Sequence, residues 1–182
     1  MRVISGKLKG RNINGYDILG TRPTMDRVKE SIFGMIQSYV NDSVVLDLFS
    51  GTGNLGIEAI SNGASIVYFN DKNNKCTKII KDNLSNFNVL ENSVITNMDY
   101  KDALNYYKNN KIKFDIVFLD PPYKERIINE ILYALLEKDL LNDKAIVICE
   151  LLTKEVFIND KLKLSKDKKY GDKFVLLYKY GN

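Results

Sequence analysis

The sequence predicts an α/β protein built on an open, mostly parallel sheet that ends in an antiparallel hairpin. Three observations lead there. Between residues 44 and 149, short apolar runs alternate with segments of helical periodicity, as in parallel strands joined by crossover helices. A glycine-rich turn, Gly51-Thr52-Gly53-Asn54-Leu55-Gly56, falls between the first such run and the first such helix. Near the C-terminus two strand-like runs flank Lys168-Lys169-Tyr170-Gly171-Asp172, which reads as a hairpin.

Taken in order, residues 3–13 hold short β-like runs broken by Gly6, Gly10 and basic residues, so they read as an N-terminal β-hairpin arm. In Thr21-Arg22-Pro23-Thr24 the proline stiffens a turn, and Thr24 is placed to cap the next helix. From Met25 onward Val28, Ile32, Met35, Ile36 and Tyr39 recur at helical spacing. Strands are then expected at 44–49, 65–69, 94–96, 114–119 and 145–149, with helices at 55–60, 75–84, 102–107 and 127–136. The strands are almost continuously apolar, which fits a sheet covered on both faces. Runs at 161–164 and 174–178 add the hairpin and bring the count to seven strands. At 182 residues the chain is most simply one domain: a basic arm at 1–22, a leading helix at 23–40 and a core at 41–182.

Charge placement is more telling than the formal net charge of +4. Residues 1–22 carry Arg2, Lys7, Lys9, Arg11 and Arg22 against Asp17 alone, so the remaining chain is neutral. A basic arm on a neutral body implies contact with a polyanion such as nucleic acid, and Arg2, Lys7, Lys9 and Arg11 are the expected contacts. The plain alternative is a lysine-rich composition scattered by chance. The lysines of the C-terminal turn leave contact with nucleic acid open, although solvated protection of a sheet edge is the plainer reading. The sequence has no histidine, which excludes histidine-based triads, general bases and zinc ligation. Cys76 and Cys149 are isolated, which fits neither a disulfide scaffold nor a metal site, and a reducing cytoplasm is the expected home. No run approaches the roughly 20 apolar residues of a membrane span. A monomer is the expected state.

Two segments carry the chemistry. The first is the glycine-rich turn, where glycines permit a tight turn and close approach of a ligand to backbone. Phe49 and Ser50 lead into it, and Asp47 lies inside the preceding strand. Asp71 follows the second strand, where a carboxylate suits ribose hydroxyls, with Lys72 beside it. Asp99 follows the third strand, with Tyr100 beside it; it is placed either to meet an adenine amino group or to cap a helix. A nicotinamide cofactor is the rival ligand for such a turn. Asp47 favours a cofactor with a cationic amino group, so S-adenosyl-L-methionine is expected, and no metal.

The second segment, Asp120-Pro121-Pro122-Tyr123, ends the fourth strand. An exocyclic base amine is a poor nucleophile because its lone pair is delocalised into the ring. Acceptors aimed at its hydrogens favour the tetrahedral geometry needed for attack. Asp120 and the Pro121 carbonyl supply two such acceptors, the prolines stiffen the corner, and Tyr123 is placed to stack on the ring. Asp120, Pro121 and Tyr123 are therefore the expected catalytic residues, with Asp120 also bordering the cofactor. The bland alternative is a rigid strand-ending turn with a packed tyrosine.

Beyond these two segments the chain resembles the bacterial small-subunit ribosomal RNA guanine-N2 methyltransferases of the RsmD type. The likeness is carried by Met1-Arg2-Val3-Ile4-Ser5-Gly6, Lys9-Gly10-Arg11, Thr21-Arg22-Pro23-Thr24, Asp26-Arg27-Val28-Lys29-Glu30 with Phe33, and Tyr170-Gly171, together with the two central motifs. The resemblance implies a Rossmann-like class I S-adenosylmethionine-dependent methyltransferase fold. It implies a guanine of 16S rRNA in a 30S assembly intermediate as substrate. It also implies that Thr21, Arg22 and Thr24 lie near the cofactor and that the basic arm, with Arg2, Lys7, Lys9 and Arg11, lies on RNA. An adenine-N6 methyltransferase on RNA or DNA, and an idle RNA-binding assembly factor, are the rival readings.

Overall fold

The computed structural model describes residues 1–15, 24–122 and 127–181, and at positions 24 and 25 the backbone alone. Seven strands form one sheet in the order β3-β2-β1-β4-β5-β7-β6. They are β1 (Val44–Asp47), β2 (Ile66–Asn70), β3 (Ser93–Thr96), β4 (Phe114–Leu119), β5 (Leu141–Leu151), β6 (Leu162–Tyr170) and β7 (Lys173–Tyr180). The first five pair in parallel, and β7 runs antiparallel to both β5 and β6. The helices are α1 (Thr24–Val40), α2 (Asn54–Ser61), α3 (Asn74–Asn86), α4 (Tyr100–Asn109) and α5 (Ile128–Glu137).

Side chains alternate between the sheet faces, and two cores follow. Val45, Val67, Phe69, Ile116, Phe118, Ile146, Ile148, Val175 and Leu177 pack with residues of α1, α2 and α3. Leu46, Val117, Leu119, Val147, Cys149, Leu176 and Tyr178 pack with residues of α4 and α5. Continuous apolar strands are the sequence trace of this double coverage.

Several boundaries differ from the sequence reading. The first strand leaves the sheet at Asp47, earlier than the apolar run suggested. β5 starts at Leu141, where polar Asn142, Asp143 and Lys144 masked it; its register against β4 shifts there and Lys144 has φ 61°. α4 starts at Tyr100, because the Asp99 side chain caps it by accepting from the Lys101 N–H at 3.0 Å. β6 and β7 run to Tyr170 and from Lys173, so the hairpin turns on Gly171 and Asp172 alone. Thr24 is itself the first helical residue of α1.

The arm has a hairpin course with one antiparallel bridge, Arg2 to Asn12, and a 3-10 turn at Gly6–Leu8 at its tip. It is docked on the body. Val3, Leu8 and Ile13 are buried in the core of the α1–α3 face. A buried ion pair organises the contact: Lys29 of α1 meets Glu58 of α2 at 2.9 Å, with the two side chains 1% and 0% exposed. Glu58 also accepts from the Ile4 and Ser5 N–H groups and from the Ser5 hydroxyl. Lys29 also donates to the Arg2 carbonyl and to Asn54. Burial pulls the Lys29 ammonium below its ordinary pKa, and Glu58 opposes that.

Replacing Glu58 by Ala leaves buried Lys29 without its counter-charge and the Ile4 and Ser5 amides without their acceptor. The expected cost is about 3–5 kcal/mol in urea unfolding. A loss under about 1 kcal/mol would show that the arm and α2 are not held this way.

Candidate active site

Because β1 to β4 are parallel, their C-terminal ends lie on one edge, where α2 and α4 begin. The site residues read from the sequence collect on that edge. Asp47 ends β1, buried at 3% exposure. Its carboxylate accepts from the Gly56 N–H at 3.0 Å, within the first turn of α2. Burial pushes its pKa up to about 7, with the Gly56 N–H opposing and the Asp71 charge adding.

The glycine turn holds its shape through backbone geometry and two acids. Gly53 precedes α2 in the left-handed region at φ 84°, and its N–H donates to the Ser50 carbonyl at 2.7 Å. The Ser50 hydroxyl returns to the Asp47 carbonyl at 2.6 Å. Gly51 has φ 54°, and its N–H donates to Asp71 at 2.9 Å. Asp71 also accepts from the Asn73 N–H at 2.8 Å. The acid past β2 is thus tied to the glycine turn. Lys72 beside it is exposed. Gly56 answers a packing need: a Cβ there would stand 2.2 Å from the Phe69 ring.

Asp99 past β3 is exposed and serves as the α4 cap, so the capping alternative is present. Tyr100 and Phe49 bring their rings within 5.8 Å, at 46° to each other, beside the turn. Asp120 follows β4 half-buried, Pro121 is buried and Pro122 exposed. Thr21, Arg22 and Tyr123 lie outside the described residues, as does the side chain of Thr24.

Three polar residues went unread in the sequence. Asn70, 1% exposed, donates to the Leu48 and Met98 carbonyls and accepts from the Thr96 hydroxyl, so one amide ties together the ends of β1, β2 and β3. Glu150 on β5 and Lys173 on β7 form an ion pair. Leu119 pairs with Cys149, so Asp120 and Glu150 occupy the next rung, on the face that carries α1–α3. Burial raises the Asp120 pKa well above the usual carboxylate value; Glu150 adds to this, Lys173 opposes it, and Asp47 adds. The sequence signal was the one that flagged Asp47 and Asp120, an acid at the end of an apolar strand.

The tip of the arm places its lysines elsewhere. Ile4 and Ser5 lie against Glu58, and Leu8 lies at Ser61, where α2 ends. Exposed Lys7 and Lys9 therefore sit at the far end of α2, away from Asp47 and Asp120. Arg11 donates to the Asn86 carbonyl at the end of α3 and lies over the Phe87 ring. Arg2 is exposed, and its carbonyl serves Lys29.

Comparison with known proteins agrees with this architecture. The family described as Conserved hypothetical protein 95 matches residues 1–179. The chain belongs to this family, the RsmD family. YlbH of Bacillus subtilis (strain 168) is 36% identical to the RsmD-family chain over 182 residues, covering 98% of each. The Ribosomal RNA small subunit methyltransferase D of Haemophilus influenzae is 34% identical over 151 residues, covering 82% of this chain and 78% of its own. The solved structure of Escherichia coli yhhF superimposes with a TM-score of 0.88 at 26% identity, covering 100% of this chain and 98% of that one. The expected class I methyltransferase fold is the fold observed.

In this RsmD-family chain, Gly56→Ala is expected to lower stability by about 1–3 kcal/mol in thermal unfolding, through overpacking against Phe69. Phe69→Leu in the same chain should recover part of that loss. An unchanged melting temperature for Gly56→Ala would contradict the close approach of α2 to β2.

Proposed function

We propose that this chain transfers a methyl group from S-adenosylmethionine to the exocyclic N2 amine of a guanine in the RNA of the small ribosomal subunit. The observation that carries the reading is the placement of Asp120-Pro121 one strand from Asp47 and the glycine turn, at the same edge of the sheet. The likeness to the Ribosomal RNA small subunit methyltransferase D of Haemophilus influenzae supports ribosomal RNA as the substrate. The resemblance of the motifs supports guanine N2, and a 30S assembly intermediate as the particle on which a monomeric enzyme acts in the cytoplasm.

The residues present fit the donor. Asp47 is a buried acid suited to its amino group, Asp71 is an acid at the glycine turn suited to ribose hydroxyls, and Phe49 and Tyr100 offer apolar walls for an adenine. Thr21, Arg22 and Thr24 remain assigned to the same pocket, as do Ser50, Lys72 and Asp99. When bound, S-adenosylmethionine supplies an electrophilic methyl group on a positively charged sulfur.

The chain's own residues do the rest. Asp120 and the Pro121 carbonyl accept hydrogen bonds from the guanine amine and direct its lone pair. Pro121 and Pro122 keep that corner stiff, and Tyr123 stacks on the base after it leaves its helix. With the methyl passing from sulfur to nitrogen and neutral S-adenosylhomocysteine left behind, Asp120 would take the proton the amine sheds and pass it to solvent. Lys173 favours the ionised, accepting form of Asp120 against the pull of burial and Glu150.

Three measurements test this. Labelled methyl transfer to ribosomal RNA and to small-subunit particles from cells lacking the enzyme, followed by nucleoside digestion, should yield N2-methylguanosine; N6-methyladenosine would replace the guanine reading, and no incorporation into either would remove methyl transfer altogether. Asp120→Ala should reduce turnover by about 100-fold or more while S-adenosylhomocysteine still binds. Retained turnover would refute the amine site.

The third measurement is pH-dependent. Asp47 is neutral below about pH 7 and ionised above it. A cationic amino group binds the ionised form, so affinity for S-adenosylhomocysteine should fall toward about tenfold per pH unit below that point. Asp47→Asn should flatten the profile, and a flat wild-type profile from pH 5.5 to 8 would exclude this role.

A further inference from the structure

The tip of the arm, with Lys7 and Lys9, does not share the edge of the sheet on which the site lies. Residues 161–173 carry six lysines against two aspartates, a local excess of +4 that equals the net charge of the whole chain. They form β6 and its turn into β7, at the free edge of the sheet. Lys163, Lys166, Lys168 and Lys169 are all exposed, and Asp167 is paired with Lys154.

Strand register places these lysines relative to Asp120. Lys168 pairs with Val175, and Val175 pairs with Glu150. Asp120 occupies the same rung as Glu150, so Asp120, Glu150, Val175 and Lys168 run in line across β4, β5, β7 and β6. Adjacent strands lie about 4.8 Å apart, which sets Lys168 at about 14 Å from Asp120 along the rung. Lys166, which pairs with Leu177, shares the sheet face of Lys168 and Asp120. Lys169 extends from the opposite face over the Phe174 ring, at 5.4 Å. Beyond them Tyr170 bonds to Ser31 of α1, which anchors this end of the hairpin to the body. By contrast Lys7 and Lys9 lie past the end of α2, a helix of eight residues and about 12 Å.

We propose that the β6 edge and its turn, through Lys166, Lys168 and Lys169, form the RNA-docking surface that holds phosphates flanking the target base. This rests on the proposed methyl transfer to RNA and names the surface that would deliver it. A base displaced from its strand stays covalently tied to its neighbouring phosphates, so a site that takes it in needs cations within a few nucleotides' reach. The hairpin turn lies at the same edge of the sheet as Asp120, in line with it, whereas the arm tip lies at the opposite end of α2. Keeping the edge from pairing with another strand calls for charge anywhere along β6, whereas a docking surface calls for it in line with Asp120.

The test is the salt dependence of binding to protein-free small-subunit ribosomal RNA, between 50 and 300 mM KCl, about the range in which phosphate contacts show. Wild type is compared with Lys166→Gln/Lys168→Gln/Lys169→Gln, with the corresponding triple arginine variant, and with Lys7→Gln/Lys9→Gln. The glutamine triple should weaken binding at least about tenfold and reduce the slope of log affinity against log salt by about 2–3. It should still bind S-adenosylhomocysteine as wild type does, which also reports that it is folded. The arginine triple should keep the wild-type slope, and Lys7→Gln/Lys9→Gln should lose less than the hairpin triple. An unchanged slope in the glutamine triple, beside a wild type that binds and methylates the RNA, overturns the docking surface alone. A wild type that neither binds nor methylates this RNA, whether protein-free or in small-subunit assembly particles, overturns both readings, and a slope set mainly by Lys7 and Lys9 moves the surface back to the arm.

Discussion

A single ion pair, Lys29 with Glu58, joins three parts of the chain that the site needs in register. α1 contributes the ammonium, α2 the carboxylate, and the arm contributes two amides and a hydroxyl that complete the carboxylate's partners. Such a pair gains little over a well-packed apolar contact, because desolvation offsets most of its attraction. Its consequence is geometric. Each charge requires the other in place, so α2 takes up one position relative to α1 and the arm. α2 opens from the glycine turn, and Asp47 reaches its Gly56 amide, so that position is transmitted to the candidate site.

A second constraint comes from the period of a strand. Asp47, Asp120, Glu150 and Lys173 lie on four strands, β1, β4, β5 and β7 or their ends, all on the face that carries α1–α3. A shift of one residue in any pairing would turn the corresponding group to the α4–α5 face. Apolar neighbours on both faces make that shift costly, so the same burial that stabilises the sheet also sets which charges meet. Within the cluster, burial raises the pKa values of Asp47 and Asp120, and Lys173 opposes the rise at Asp120.

Much of this was legible beforehand. The parallel strands were visible because double burial leaves continuous apolar runs. The glycine turn was visible because the left-handed conformation at Gly53 and the approach of α2 to Phe69 both exclude a side chain. Asp47 and Asp120 stood out as acids in or after apolar strands. Glu150 carries the same signal, yet its meaning depends on a partner strand that sequence order does not reveal. Asn70 was hidden for a related reason: its amide serves carbonyls of Leu48 and Met98, and no local pattern marks an acceptor that far along the chain. The first residues of β5 were hidden because the strand begins with polar Asn142, Asp143 and Lys144.

By itself the sequence determined the α/β class, the order of the strands along the chain, the glycine turn and the two acidic corners. These are set by local periodicity and by what backbone geometry demands of particular residues. Only the tertiary structure decided which cations stand near the candidate site. The arm and the hairpin carry the same excess charge in the sequence. Docking of the arm along α2 takes Lys7 and Lys9 to the far end, and strand pairing brings Lys168 into line with Asp120. Placement of that kind follows from register and burial between distant segments, which composition does not encode.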